Sequence, residues 1–347
     1  MDKKEKIFVG LSGGVDSSVS AGLLKEGGYD VTGVFIKVWQ PSFLECTWIE
    51  DRRDAMRVCA KLDIPFKTLD LEEEYKKEVA EYMINEYKAG RTPNPDVMCN
   101  KEIKFGAFMN KALSLGAHCI ATGHYAKTDG EKLFVGADKN KDQSYFLWTL
   151  RKEKLAKIKF PIGDYQKSEV RKLAKKFGLP TSEKKDSQGL CFLGKLDIKD
   201  FLKHYLPEKT GNVLSDGGEV IGKHDGTYFY TLGQRHGFST IKQKSSEKPL
   251  YIISKNIEKN TITVSENPID ERQTTSVKLH SINWIRRPEL GKEYKARVRY
   301  RQELKECRIL EDEDGTFVQF DEKGIYPSGQ SVVVYDEDEC LGGGIIE

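Results

Sequence analysis

The chain has 347 residues, of which 38% are hydrophobic and 32% charged, and its 56 Lys and Arg against 54 Asp and Glu leave a formal net charge of +2. That length suits two or three domains, and the apolar content excludes wholesale disorder. The near balance of charge excludes a polycation that coats nucleic acid, so any basic surface has to be a local patch. No apolar run approaches the ~18 residues of a membrane span, and none follows Met1-Asp2-Lys3-Lys4-Glu5. A cytoplasmic protein with no membrane partner is expected.

The elements alternate at first. Strands are expected at Lys6 to Leu11, Val31 to Ile36, Phe66 to Leu71 and Cys119 to Ala121. Helices are expected at Ser17 to Lys25, Asp51 to Leu62, Glu72 to Lys88 and about Lys101 to Leu115. Such alternation builds right-handed βαβ units and a Rossmann-like α/β domain with a parallel sheet, whose ligands sit beyond the carboxyl ends of the strands. Arg151 to Lys176 carries ten Lys and Arg against three acids, a pattern that fits a solvated helix face as well as a binding patch. After about Tyr205 helical periodicity gives way to short β runs at 219–223, 228–231, 251–253, 261–264 and 332–335. The expected division is a nucleotide-binding domain over 1–205, a small β-rich central domain over 206–272 and a C-terminal antiparallel β-barrel over 273–347.

The segment Ser12-Gly13-Gly14-Val15-Asp16-Ser17-Ser18 follows the first strand and opens the first helix. Its glycines let backbone N–H groups approach an anion, and the helix N-terminus adds a favourable dipole. Ser12, Ser17 and Ser18 can donate hydroxyl hydrogen bonds to phosphate oxygens. The lysine of a Walker A loop is missing, and Asp16 stands inside the loop instead. A carboxylate facing phosphates needs a cation between them, which makes Asp16 a candidate Mg²⁺ ligand.

The seven cysteines (46, 59, 99, 119, 191, 307 and 340) are odd in number and include no C-x-x-C pair, so neither a disulfide framework nor a zinc site is expected. Cys99 follows a stiff segment with Pro93 and Pro95, where no helix is expected. With Asn100 as helix cap, its thiol would lie at a positive helix end and have a lowered pKa. Cys191 lies in a Gly-containing segment near Lys184 and Lys185. Taken alone, either cysteine fits an inert core position as well as a catalytic one.

The phosphate loop resembles that of the PP-loop ATP pyrophosphatases, which cleave ATP between the α- and β-phosphates. Asn94-Pro95-Asp96-Val97-Met98-Cys99-Asn100-Lys101-Glu102-Ile103-Lys104-Phe105 further resembles the nucleophile segment of the bacterial tRNA-specific 2-thiouridylases. Ala121 to Tyr125, Lys141 to Leu147, Ser187 to Phe192, Tyr230 to Arg235, Arg299 to Gln302, Pro327 to Gln330 and Cys340 to Gly344 are similar to that family in the same order. The segment Gln40 to Glu50, Val38, and His236 after Gly-Gln-Arg depart from its pattern. The resemblance implies ATP-dependent thiolation of the wobble uridine in tRNAs for Lys, Glu and Gln. It further implies ATP and Mg²⁺ as cofactors, and tRNA together with a persulfide carrier or cysteine desulfurase as partners. By position, Cys191 would carry the persulfide and Cys99 would be the nucleophile, leaving a transient disulfide once tRNA has ordered the Cys191 loop over the site. Gly10, Leu11, Ser12, Gly13, Gly14, Val15, Asp16, Ser17, Ile36 and Gly123 would bind ATP. Asn94, Pro95 and Asp96 would meet the target base, and His124, Lys141, Asp142, Gln143, Arg299, Tyr300 and Gln330 would contact tRNA.

The stretch Arg286 to Arg301, with seven Lys and Arg against two Glu and with Trp284, Tyr294 and Tyr300 interleaved, suits an RNA backbone and splayed bases. A PP-loop ligase acting on ammonia or an amine would need neither cysteine. An RNA-binding protein that had lost catalysis would not need the intact phosphate loop.

Overall fold

A computed structural model describes residues 4–44, 48–185, 189, 191, 192, 194, 197–240, 248–267 and 274–347. Cys46 and residues 186–188 and 190 of the Cys191 motif lie outside them. The first sheet is wholly parallel. Its strands are β1 (Lys6–Leu11), β2 (Asp30–Lys37), β3 (Phe66–Asp70), β4 (Cys119–Ala121) and, beyond the two-strand hairpin β5 (Ala126–Thr128) and β6 (Leu133–Val135), β7 (Ile158–Lys159). Their spatial order is β3-β2-β1-β4-β7. Helices cover both faces, so β1 is apolar on both. Phe8 packs with Val34, Phe105 and Phe108 on one side, and Ile7, Val9 and Leu11 with Ala21, Ala55 and Cys59 on the other. The order reverses between β1 and β4, so the crevice for a ligand opens beyond their carboxyl ends.

Four helices matter for that crevice. Helix α1 (Val15–Glu26) opens directly out of the Gly loop, and α2 (Trp48–Leu62) packs beside it. Helix α3 spans 72–88 with π-helical turns over Lys76–Glu81. Helix α4 spans 95–114, with Cys99–Phe108 wound as π-helix. It starts earlier than the two prolines suggest, because Pro95 takes the first helical turn, where its missing N–H costs nothing. Asn94 is the actual cap, its Oδ1 accepting the Val97 N–H at 3.2 Å. Later, α5 (Lys167–Lys176) is closed by a Gln166/Glu169 capping box, and α6 (Ile198–Lys203) is capped by Asp197.

The central sheet runs β10-β9-β8-β12-β11, with β8 (Gly211–Leu214), β9 (Val220–His224), β10 (Ser239–Thr240), β11 (Tyr251–Asn256) and β12 (Thr261–Ser265). Phe201 and Leu202 of α6 and Met83 and Tyr87 of α3 share its core. Residues 228–231, expected as a strand, instead enter through a 3₁₀ turn at Thr227–Phe229. The N–H and hydroxyl of Thr227 both donate to Asn260 Oδ1, which replaces a strand ladder there.

The last six strands are β13 (Ser276–Trp284), β14 (Glu293–Arg297), β15 (Lys305–Asp312), β16 (Gly315–Phe320), β17 (Ser331–Asp336) and β18 (Glu339–Ile346). They close into an antiparallel barrel through β13–β18 pairing. The start of β18 pairs with β6, Glu339 opposite Phe134 and Cys340 opposite Leu133. The barrel sheet therefore continues into the first domain.

Candidate active site

A cavity of about 710 Å³ opens beyond β1 and β4 and is lined by the Gly loop and by Cys191, with Cys99 buried behind it. At one end lie Gly10, Leu11, Ser12, Gly14, Val15, Asp16 and Ser17, with Ile36 from β2 and Gly123 after β4. Gly13 is turned away. Its φ is +74°, and a Cβ there would meet Asp51 O at 2.5 Å. Gly123 brings β4 against the start of α1, since a Cβ would lie 2.5 Å from Ser17 N. Ser12 and Ser17 hydroxyls are 3.3 Å apart beside the loop. Ser18, expected among the phosphate donors, instead gives its hydroxyl to Gly14 O at 2.6 Å and is buried. A curled loop with helix-start N–H groups aimed into an open cavity fits a polyphosphate.

Asp16 has a cation beside it already. Lys167 Nζ lies 2.6 Å and the Tyr125 hydroxyl 2.8 Å from Asp16 Oδ1. The lysine missing from the loop is thus supplied by α5, and the carboxylate does not by itself demand a metal. Among the described residues, no group of three His, Cys, Asp or Glu side chains is placed to hold a metal ion. Within the basic run 151–176 nothing in the sequence singles out Lys167. Only the packing of α1 against α5 brings it to the loop.

At the other end, Cys99 Sγ lies 3.4 Å from Cys191 Sγ and donates to it. The fold thus brings together two thiols that lie 92 residues apart in the sequence. The segment is tied at three points: Tyr75 OH donates to Cys191 O at 2.9 Å, Cys191 N to Asp96 Oδ1 at 2.9 Å, and Gln40 Nε2 to Phe192 O at 3.2 Å. At its base, Lys184 bridges Asp51 and Asp54 of α2, each at 2.8 Å.

The two sulfurs differ. Cys99 is fully buried inside α4, and burial together with its bond to Cys191 pushes its thiol well above the ordinary value. This reverses the expected helix-end thiolate, because α4 begins four residues earlier and Cys99 lies within it. Cys191 accepts the Cys99 hydrogen bond and feels the Lys104 ammonium, and its thiol is lowered to about 7. Of the two, Cys191 is the more acidic thiol. Burial pushes the Cys59, Cys119, Cys307 and Cys340 thiols up, to between about 11 and about 12; these are inert core positions.

Residues 5–195 match the family model described as "tRNA methyl transferase HUP domain", 199–266 its "PRC-barrel domain" and 274–346 the "Aminomethyltransferase beta-barrel domain". The chain is 48% identical over 354 residues to the tRNA-specific 2-thiouridylase MnmA of Geobacillus thermodenitrificans, covering 99% of this chain and 94% of that one. It is 46% identical over 357 residues to the MnmA of Bacillus subtilis, covering 99% and 95%. The chain belongs to the tRNA-specific 2-thiouridylase (MnmA) family. Among solved structures, the U34-tRNA thiolase NcsA from Methanococcus maripaludis is 20% identical at a TM-score of 0.36, over 58% of this chain and 67% of that one. That likeness is too distant to bear on the site. No helix among the described residues is long and apolar enough to cross a membrane.

The remaining family-motif residues fall into two groups. Asp96, His124, Lys141, Gln143 and Tyr300 line the cavity, as does Arg301 at the end of the basic-aromatic stretch. Asp142 is buried instead. Its carboxylate accepts from Gly136 N, Ser144 N and Ser144 Oγ and pairs with Arg297 of the barrel at 2.7 Å. Gln330 Nε2 donates to Thr92 O at 2.8 Å, bracing the loop before Pro95, and Arg299 donates to Leu232 O. The basic stretch 286–301 is largely neutralised within the protein: Arg286 pairs with Asp336 and Glu339, Arg287 with Glu311, Lys292 with Asp336, and Lys295 with Glu306.

Proposed function

We propose that the protein is a cytoplasmic enzyme that uses ATP to convert the 2-oxo group of the wobble uridine in tRNAs for Lys, Glu and Gln into a 2-thio group. One observation carries this reading: an activated cysteine, Cys191, backed by a second thiol 3.4 Å away, opens into the same cavity as a phosphate-binding loop. A carbonyl oxygen is a poor leaving group until it is adenylated, and a persulfide is a strong soft nucleophile. A methyl-transfer reading, suggested by the family-model descriptions, leaves the phosphate loop without a task.

In the proposed sequence, the loop from Gly10 to Ser17, with Ile36 and Gly123, holds the triphosphate. A Mg²⁺ on the phosphates would take Asp16 as its protein ligand and supply charge neutralisation at the α–β bridge. Asn94, Pro95 and Asp96 present the base, while His124, Lys141, Gln143, Arg299 and Tyr300 bind the RNA. Asp142 and Gln330 act from behind by fixing these loops. Cys191, loaded by a persulfide carrier or cysteine desulfurase, offers its terminal sulfur to C2, and the oxygen leaves with AMP. The Cys99 thiol then attacks Cys191 Sγ, its proton passing to the thio-base that departs. The sulfur–sulfur bond breaks with its electron pair going to the sulfur on the base, and a Cys99–Cys191 disulfide remains for a reductant to reopen. The domain division at 205/206 and 272/273 is part of the same proposal.

Mass spectrometry of nucleosides from a deletion strain tests the reading: 2-thiouridine derivatives should vanish and return with the wild-type gene. Their persistence in the deletion strain would overturn it.

A further inference from the structure

Lys104 has no role in the reading above, yet it lines the cavity beside His124 and the Cys191 segment. We propose that Lys104 is the counter-ion of the sulfur carried on Cys191, holding it as an anion both before and after it takes up the sulfur to be transferred, with His124 fixing the ammonium in place. The inference rests on the proposed thiolation only for the identity of the transferred sulfur.

The winding of α4 is the first support. In an α-helix, residues five apart point ~140° away from each other. The π-helical turns over Cys99–Phe108 form i→i+5 bonds, which brings Lys104 round toward the face of Cys99. The partners are the second. Lys104 Nζ lies 3.4 Å from His124 Nε2 and 5.7 Å from the centroid of the Phe192 ring, next to Cys191 in the chain. An ammonium has only donors, so His124 Nε2 must accept, and the ring proton sits on Nδ1, 2.7 Å from Thr122 Oγ1. Burial, and then the Lys104 charge, hold His124 well below its usual value, so it stays neutral and leaves the positive charge on Lys104. Burial disfavours that charge, and the Cys191 and Cys99 sulfurs and the Asp96 carboxylate outweigh it, the net direction being upward.

The chemistry follows. The Cys191 thiolate attacks the outer sulfur of a donor persulfide. That sulfur's bond to the donor breaks, and the donor leaves as a thiolate. The new persulfide on Cys191 then loses its proton to solvent while facing the Lys104 ammonium. No net oxidation occurs in this step, and the charge beside Lys104 is negative at both stages.

The test is the pH profile of Cys191 alkylation by iodoacetamide, read by peptide mapping on the full chain without tRNA or ATP. Wild type should show a midpoint near pH 7. Lys104→Met should raise it by about one pH unit or more, and Lys104→Arg should restore it. If Lys104→Met does not fold, Lys104→Gln, which keeps N–H donors without charge, carries the same expectation. A folded neutral variant with an unmoved midpoint would overturn the inference. A moved midpoint in a protein that makes no 2-thiouridine would instead sink the proposed function and leave Lys104 as the counter-ion.

Discussion

At the phosphate end of the cavity, one continuous run from Gly10 to Ser17 supplies nearly every lining group, and its geometry is local: a strand, a Gly turn and a helix start. At the sulfur end, Gln40, Tyr75 of α3, Asp96, Cys99 and Lys104 of α4, and Cys191 come from four segments that meet only through tertiary packing. The first arrangement is robust to distant change but intolerant of any side chain pushed into it. The second gains an asymmetric pair of thiols, one raised and one lowered, from partners that no single segment contains.

The largest effect that separates the ends is Cys191→Ser. Thiolation should fall by more than about a thousandfold while pyrophosphate release with tRNA persists, because activation of the base precedes sulfur attack. Loss of both activities together would mean that the ends are not separable. Gly123→Ala is the reverse experiment. Its methyl would press on the backbone of Ser17 and Asp16, which cannot swing aside, at a cost of about 1–3 kcal/mol. ATP affinity should drop roughly ten- to a hundredfold, with Cys191 alkylation unchanged. A variant that binds ATP normally would show that the close approach at Gly123 does not shape the phosphate site.

A smaller effect is acid sensitivity. His124 is held well below 6.5 by burial and Lys104, so above 6.5 it is neutral in both the folded and the unfolded chain and contributes no slope. Below 6.5 the unfolded chain gains a proton that the folded one refuses, and stability is lost as pH falls, by about 1.4 kcal/mol one unit below. Denaturant unfolding at pH 7 and 5.5 should register this loss. His124→Gln should remove it, and an unchanged pH dependence in that variant would place the sensitivity elsewhere. The smallest effect concerns RNA. Arg299→Ala with Arg301→Ala should weaken tRNA binding and lower its salt slope by about 0.7 to 0.9 for each phosphate no longer neutralised, leaving ATP binding untouched. An unchanged slope would remove both from the RNA surface.

The parallel sheet, the phosphate loop and the barrel were legible because strand periodicity and Gly-turn chemistry are local. So was the choice of Cys99 and Cys191 as a pair, through motif resemblance. The protonation of the pair was not. The two prolines near Cys99 read as helix breakers, whereas Pro95 starts α4, which moves Cys99 from a helix end into the core and inverts its thiol. Lys167, in a basic run, carries no sequence mark, and Lys104 lies within the Cys99 motif without any role attached to it, because their significance arises from what α5 and the π-helical turns bring near them. In the basic-aromatic stretch 286–301 the ion pairs were not legible, because the acids that neutralise Arg286, Arg287, Lys292 and Lys295 lie outside it, at Glu306, Glu311, Asp336 and Glu339.

The pairing of β18 with β6 makes the barrel less an appendage than a fixed jaw. A hinge between it and the nucleotide-binding domain would have to tear backbone hydrogen bonds at Glu339 and Cys340 and strand the buried carboxylate of Asp142 without Arg297, a loss of about 3–5 kcal/mol for the ion pair alone. Any gauge set by the gap between barrel and cavity is therefore rigid. In hydrogen exchange, the amides of β6 and the start of β18 should open as one cooperative unit.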